Sequence, residues 1–534
     1  AVGTAMPQVQ GNGRALTLSH EVELNEVLEA DECTVAGTQW LLLLREPWHA
    51  ALSAVRRTWA LCGLRPLEQP AAWLRDAAIY ETHPALWGGF GGLLAQLPRL
   101  RALGLNTLCL LPIWDFANLS GSLWDGNWEG SGDLYALCDF EQIDPTLGPP
   151  GDLRALVDAA HDLGMRVLLD LPLEGCAADA PLVGQHAEWF CYDSTGQVAQ
   201  LGQRTGIAPF DWEQAGLRAY MLEWALGQLQ SYALDGFCIL MPRVVTPPHP
   251  GARPALPNLR MGALDLIEQL RNGMLSLRSD AVLIGALAGP LYESLHDGAM
   301  HEVAHHMFIQ LGLGQITPVE LGAWLEDAAL SLPRSATPIC FTEYYRTRLV
   351  SPLADGLRGS RLSRMLMAGM VLCGFAPLVG HDQDEVDGAF IGTLLRARAD
   401  FAALRHARAV YNALPCSSAQ VFAVWRSGEH EQLIGLLNVG PHKHTVVLSL
   451  PVDRLALAEG DYELYELFSR RAWAEAGRQV WARDELLALQ LTLDPFTAYC
   501  LAVRVARAPT AADEPLGELS LASYSPRAAA IAGQ

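Results

Sequence analysis

His301-Glu302-Val303-Ala304-His305-His306 carries the HExxH spacing, in which two imidazoles one helical turn apart bind zinc and the Glu between them activates water. That chemistry needs a helix. The surrounding pattern instead predicts a strand over residues 300–308, where positions 301 and 305 share a face but stand about 13 Å apart, too far for one ion. Glu326 on the next helix could pose as a third ligand, but solvated or hydrogen-bonded histidines are the expectation, and no metal is assigned. The acidic run at 382–388, DQDEVDG, reads as a solvated loop, although three carboxylates there would suffice for a cation. Trp87, Trp114, Trp124 and Trp128 fall in the loops after two predicted strands, beside Tyr135. Aromatic faces stack on sugar C–H groups, so these residues point to a carbohydrate surface, the plainer alternative being loop core.

These residues are positioned by a repeating strand-helix pattern that begins at Trp73 and predicts a parallel sheet with right-handed crossovers. Strands are expected at 77–83, 105–113, 165–173, 234–242, 281–287, 300–308, 338–344 and 375–380. The helices between them are expected at 91–103, 152–163, 214–233 and 259–278, with a short one near Leu291, then at 318–332, 362–373 and 392–405. Eight such pairs close most simply as a (β/α)₈ TIM barrel at 73–409, an open doubly wound sheet being the alternative. A small N-terminal domain is expected at 1–72. Short alternating strands from Val410 predict an antiparallel β-sandwich at 410–505. Residues 506–534, rich in Ala, Pro and Ser, read as a tail.

Composition narrows the partners. Half the residues are hydrophobic and 18% are charged, as in a globular chain with a large core. A net charge of −22 argues against nucleic acid and anionic membrane, both of which need clustered basic residues. Eleven cysteines without CxxC spacing argue against a disulfide framework and a structural zinc. The opening residues lack an apolar stretch of signal-peptide length, which with the cysteines predicts the cytoplasm. The most apolar run, 365–380, is too short to span a bilayer and reads as a helix followed by a strand.

The motifs resemble the α-amylase family, glycoside hydrolase family 13. AAIYETHPALWGGFGGLLAQLPRLRALGLNTLCLLPIW is similar to that family's first strand, helix and second strand. DLYALCDFEQIDPTLGPPGDLRALVDAAHDLGMRVLLDL is similar to its segment running into strand three, and LDGFCILMP to strand four. Within the family, LPLEGCAADAPLVGQHAEWF and LYELFSRRAWAEAG most resemble the maltosyltransferases that use maltose 1-phosphate.

A retaining glycosidase flanks its oxocarbenium-like transition state with two carboxylates about 5 Å apart. The resemblance implies that Asp170 on strand three is retained, while Gly175 replaces a His. It implies Cys238 for a strand-four Arg, Leu240 for the nucleophile, Ala286 for the acid/base Glu, and Tyr344, Tyr345 and Arg346 for Asn-His-Asp on strand seven. Leu, Ala and Arg cannot perform that proton transfer. The expectation is a catalytically degenerate protein that binds α-glucan or maltodextrin through Tyr135 and the loop tryptophans, or regulates carbohydrate metabolism, without a cofactor. Two alternatives stay open: an active glucan hydrolase or transferase with relocated carboxylates (Glu174, Glu343, Asp382, Asp384), and a scaffold that binds a protein partner or a second copy. Arg346 is expected either to pair with Asp170 or to point into solvent while backbone donors satisfy Asp170.

Overall fold

The computed structural model describes residues 8–11, 16–19, 48–61, 67, 70–116, 134–192, 196–199, 206–239, 262–285, 295–331, 336–345, 347, 357–428, 431–453 and 457–506. At the N-terminus, β1 (Gln8–Gly11) and β2 (Leu16–Ser19) form an antiparallel pair. Helix α1 (Trp48–Leu61) packs against α8 (Pro318–Ser331).

Eight parallel strands close into a barrel: β3 (Ile79–Thr82), β4 (Thr107–Leu110), β5 (Arg166–Leu171), β8 (Gly236–Ile239), β9 (Val282–Gly285), β10 (Gly298–Met300), β11 (Thr337–Cys340) and β12 (Ala376–Gly380). Closure excludes the open doubly wound alternative. Among the described residues, α2 (Phe90–Ala102) follows β3, α3 (Pro150–Asp162) follows β4, α5 (Ala215–Tyr232) follows β5, α6 (Gly262–Leu277) follows β8, α7 (Glu302–Gly312) and α8 both follow β10, α9 (Arg361–Leu372) follows β11 and α10 (Gln383–Asp400) follows β12. An excursion after β5 adds a hairpin of β6 (Gly175–Ala177) and β7 (Ile207–Pro209), with α4 (Pro181–Gln185) between them.

The strands read as apolar runs because they are covered on both faces. Ile79, Leu168, Val282, Ile284, Ile339 and Leu378 fill the barrel interior, while Tyr80, Leu108, Val167 and Leu169 face the helices. The base of β8 is pinned by Asp235, which is fully buried. Its carboxylate accepts from Val167 N at 2.8 Å and meets His161 Nε2, Arg166 Nη1 and Arg278 Nη2 at 2.8, 2.7 and 2.6 Å. Gly236 follows at φ +150°, where an added Cβ would stand 2.0 Å from Val282 O, so only glycine lets β8 and β9 meet.

After α11 (Ala403–His406), one sheet has the order β13 (Arg408–Tyr411), β14 (Val421–Ser427), β15 (Gln432–Asn438), β21 (Thr497–Val505), β17 (Asp461–Glu466), β18 (Arg471–Ala472), with β19 (Val480–Ala482) also on β17. A second sheet pairs β16 (His444–Leu448) with β20 (Leu489–Leu493). The larger sheet is sandwiched: Leu433, Leu437 and Phe422 pack on Phe308 and Met370 of the barrel helices, and Ile434, Leu436 and Leu501 pack on Leu448 and Leu491. This double cover explains why β14 and β15 are buried at nearly every position instead of alternating.

Two expectations need correction. The sixth barrel strand is only three residues long, and Glu302 already opens α7, so the HExxH segment is helical and not a strand. Burial at Ala304, His305, Phe308, Ile309 and Leu311 follows the helical period. The acidic run 382–388 is not a loop; its residues form the first turns of α10, where Asp384 and Glu385 complement the helix dipole. Asp384 and Asp387, three residues apart, share a face and are buried against Arg99 and Arg364 at 2.6 Å each. The helix expected near Leu291 and the tail at 507–534 lie outside the described residues.

Candidate substrate site at the barrel mouth

In a (β/α)₈ barrel, reacting groups stand at the C-terminal ends of the strands. Here that face carries Glu81 and Thr82 from β3, Asp170 from β5, Cys238 from β8, and Glu343, Tyr344 and Tyr345 after β11, with His381 following β12. Glu81, Glu343, Tyr344, Tyr345 and His381 line a small pocket.

Asp170 is 8% exposed and sits in register with Cys238. Tyr135 Oη donates to Asp170 Oδ2 at 2.5 Å, and its ring lies 6.2 Å from that of Tyr345. A phenol thus serves the Asp170 carboxylate. Cys238 Sγ accepts from Cys109 Sγ at 2.9 Å, deep in the barrel. The bond to Cys238, together with burial, pushes the Cys109 thiol well up. For Cys238 the bond from Cys109 acts downward, but burial and the nearby Asp170 and Glu81 outweigh it and raise the thiol. The residue beside Asp170 on the fourth barrel strand is therefore a neutral thiol. Leu240, Ala286 and Arg346 lie outside the described residues, and with them the expected pairing of Arg346 and Asp170.

Raised and buried thiols are poor nucleophiles. Aromatic-disulfide labelling of the native chain at pH 8, read by peptide mass spectrometry, is expected to leave Cys109, Cys238, Cys340, Cys373 and Cys500 unmodified. All five are buried and burial contributes to raising each. Modification of Cys238 without unfolding would contradict this geometry.

All four carboxylates considered for relocated catalysis, Glu174, Glu343, Asp382 and Asp384, are engaged. Glu343 takes a bidentate pair from Arg358, Nε to Oε1 at 2.6 Å and Nη2 to Oε2 at 2.8 Å. Asp384 accepts Tyr80 Oη at 2.8 Å besides its pair with Arg99. Asp382 meets His381 Nε2 at 2.8 Å and adopts φ +72°, a left-handed conformation uncommon for a non-glycine residue. Glu174, 4% exposed, lies just before β6. Glu81 was missed from sequence. It is 5% exposed and accepts Tyr345 N at 2.7 Å, tying strand one to the loop after strand seven. Its signal was available, as a charged residue ending an otherwise apolar barrel strand.

Of the candidate aromatics, Trp87, Trp114 and Tyr135 fall among the described residues. Trp114 is 1% exposed and packs 4.7 Å from Trp224, which places its ring in the core of this structure. A tryptophan's bulk favours burial wherever neighbouring helices offer an apolar wall. Tyr135 is likewise buried, with its hydroxyl on Asp170. Trp87 is half-buried: its Nε1 donates to Thr82 Oγ1 at 2.9 Å, and its ring meets His381 edge-on at 5.0 Å. Trp124 and Trp128 lie outside the described residues.

The histidines of the HExxH segment have protein partners. His305 Nδ1 donates to Phe341 O at 2.8 Å, and Glu302 accepts Tyr344 Oη at 2.6 Å. His301 packs edge-on to Phe375, and burial lowers its pKa to about 4. Among the described residues no group of three His, Cys, Asp or Glu could hold a metal ion.

A closed eight-stranded parallel barrel with a C-terminal antiparallel sheet is the architecture this chain shares with solved α-amylase structures. Residues 76–242 match the family described as "Alpha amylase, catalytic domain". Over 138 residues the chain is 36% identical to α-1,4-glucan:maltose-1-phosphate maltosyltransferase of Rhodospirillum rubrum, covering 24% of this chain and 20% of that protein. It is 24% identical over 429 residues to the α-amylase MalA of Haloarcula japonica, covering 74% of this chain and 60% of that one. The chain thus spans about a fifth and three fifths of these relatives' lengths. The crystal structure of a noncanonic maltogenic α-amylase, AmyB of Thermotoga neapolitana, superposes with a TM-score of 0.65 at 19% identity, over 81% of this chain and 100% of that one. That likeness concerns the fold. No described helix is long and apolar enough to cross a membrane.

Proposed function

We propose that this chain is a non-catalytic member of the α-amylase family that binds α-glucan at its barrel mouth and acts in carbohydrate metabolism by binding rather than by turnover. The observation that carries the reading is the identity of three residues: Leu240, Ala286 and Arg346 stand where the resemblance places nucleophile, acid/base and third carboxylate. None of them can attack an anomeric carbon or protonate a leaving oxygen. The engaged state of the remaining carboxylates supports the same conclusion. Both oxygens of Glu343 are occupied by the Arg358 guanidinium, which holds that carboxylate in a structural pair. The mouth keeps hydroxyl-binding groups, including Glu81, Tyr344 and His381, which suit a polyhydroxylated ligand.

Maltooligosaccharides titrated by calorimetry are expected to bind in the millimolar range, since Trp114 and Tyr135 are buried and Trp87 is half-buried. Trp87→Ala and Trp124→Ala are each expected to weaken binding severalfold, whereas Trp114→Ala acts through stability. Absence of heat at millimolar oligosaccharide would remove the glucan-binding reading and favour a protein-binding scaffold, tested by recovery of a defined partner or a second copy from native extract.

A further inference from the structure

Away from the mouth, a cavity of about 430 Å³ opens on the outer flank of the barrel, near the residues that enter β11 and β12. Helix α8 forms one side and the start of the C-terminal sheet the other. Its lining is the most basic place among the described cavities of an acidic chain: Arg75, Arg405, Arg408 and Arg426 surround it, with His406, against Glu326 as the single lining acid. Trp324, Phe375 and Tyr411 supply apolar wall.

The arginines differ in how their charge is met. Arg405 and His406 share one oxygen of Asp76, at 3.2 and 3.1 Å. Arg426 has no carboxylate partner among the described residues. Its Nε and Nη2 donate to Ala403 O at 3.1 and 2.8 Å, and Nη1 donates to Leu372 O at 3.4 Å, while the residue is 2% exposed. Burial accordingly lowers its pKa. Behind it Arg398, 3% exposed, donates only to the Arg75 and Asp76 carbonyls, and burial pushes its pKa down to about 9. The seat of Arg426 is specific: Gly374, at φ +95°, leaves room where a Cβ would stand 2.2 Å from Nη1. Carbonyl dipoles solvate a guanidinium but leave its charge uncompensated, and an uncompensated buried cation is costly. Arg75 and Arg408 are exposed at the rim, and neither has an ion pair among the described residues.

We infer that this cavity is a binding site for a small phosphorylated metabolite, its phosphate held by Arg75, Arg408 and Arg426 and its body lying against Trp324 and Tyr411. Guanidinium groups match phosphate oxygens bidentately, and the volume lies within the range of small-ligand sites. The anion supplies the charge that the protein withholds from Arg426. The site is separate from the barrel mouth, so it stands whether or not the mouth binds glucan. A ligand here touches α8, β11 and the C-terminal sheet together, which makes the junction of barrel and sheet the element that it stabilises.

Inorganic pyrophosphate, titrated into the full chain by calorimetry at low ionic strength and followed by thermal shift, tests the assignment. Arg426→Ala risks misfolding, so the exposed Arg75→Glu and Arg408→Glu carry the test, with Arg154→Glu, on an exposed helix face paired with Asp158, as the charge-matched control. The expected result is saturable one-site binding, weakened at least tenfold by each cavity change, abolished in the double variant and unaltered in the control. Failure of the full chain to bind pyrophosphate, or equal loss in the Arg154→Glu control, would overturn the proposal.

Discussion

Asp235→Ala is expected to lower the free energy of unfolding by about 3 kcal/mol, among the largest effects of any single change in this chain. One carboxylate accepts a backbone amide of the neighbouring strand and faces two arginines and a histidine from three elements. Removing it leaves Val167 N without its acceptor inside the protein and takes the counter-ion from Arg166 and Arg278. Those two side chains are 32% and 28% exposed, so water recovers part of the loss and the figure belongs at the lower end for a broken buried pair. Asp235→Asn keeps an acceptor for Val167 and is expected to cost less. Urea unfolding curves of the three proteins decide the matter, and a loss below about 1 kcal/mol for the alanine variant would mean that the arginines find other partners.

Acidification between pH 6.5 and 4 is expected to destabilise the fold through two buried imidazoles. Burial lowers His83 to about 4, against a smaller opposing pull from its bond to Pro112 O. His301 is lowered to about 4 by burial alone. Both therefore titrate lower in the fold than in the unfolded chain, which takes up protons first. Their contribution is complete above about pH 6.5 and is lost as pH falls toward about 4, by about 3 kcal/mol for each group. Urea midpoints at pH 7, 6, 5 and 4 should fall progressively, and His83→Asn with His301→Asn should flatten the slope. A midpoint constant from pH 7 to 5 would contradict the neutral, buried state of these rings.

The barrel was legible because its strands are continuous apolar runs separated by amphipathic helices of the right length, and such a pattern has few other closures. Strand β10 escaped because three residues carry too little pattern, and the apolar start of α7 blurred into it. The run at 382–388 misled for a different reason. Acidic residues at helical spacing look solvated until the arginines that face them are known, and Arg99 stands far away in sequence. Trp114 and Trp87 carry the same sequence signal, yet one is core and the other half-exposed. What separates them is Trp224, on a helix more than a hundred residues later. The role of Asp235 was hidden likewise, since its partners at 161, 166 and 278 come from separate units. The strand motif around it could be recognised, but not the charge cluster that holds its base.

The proposed lack of turnover rests on the resemblance, which places Leu240, Ala286 and Arg346 where the chemistry requires carboxylates. The most direct test is the release of reducing sugar or phosphate by the purified chain from maltose, maltodextrin, trehalose and maltose 1-phosphate, run beside Glu174→Gln and Glu343→Gln variants. The expected result is no turnover above the uncatalysed rate by any of the three proteins. Turnover by the unaltered chain that either substitution abolishes would contradict the reading and assign the chemistry to a relocated carboxylate.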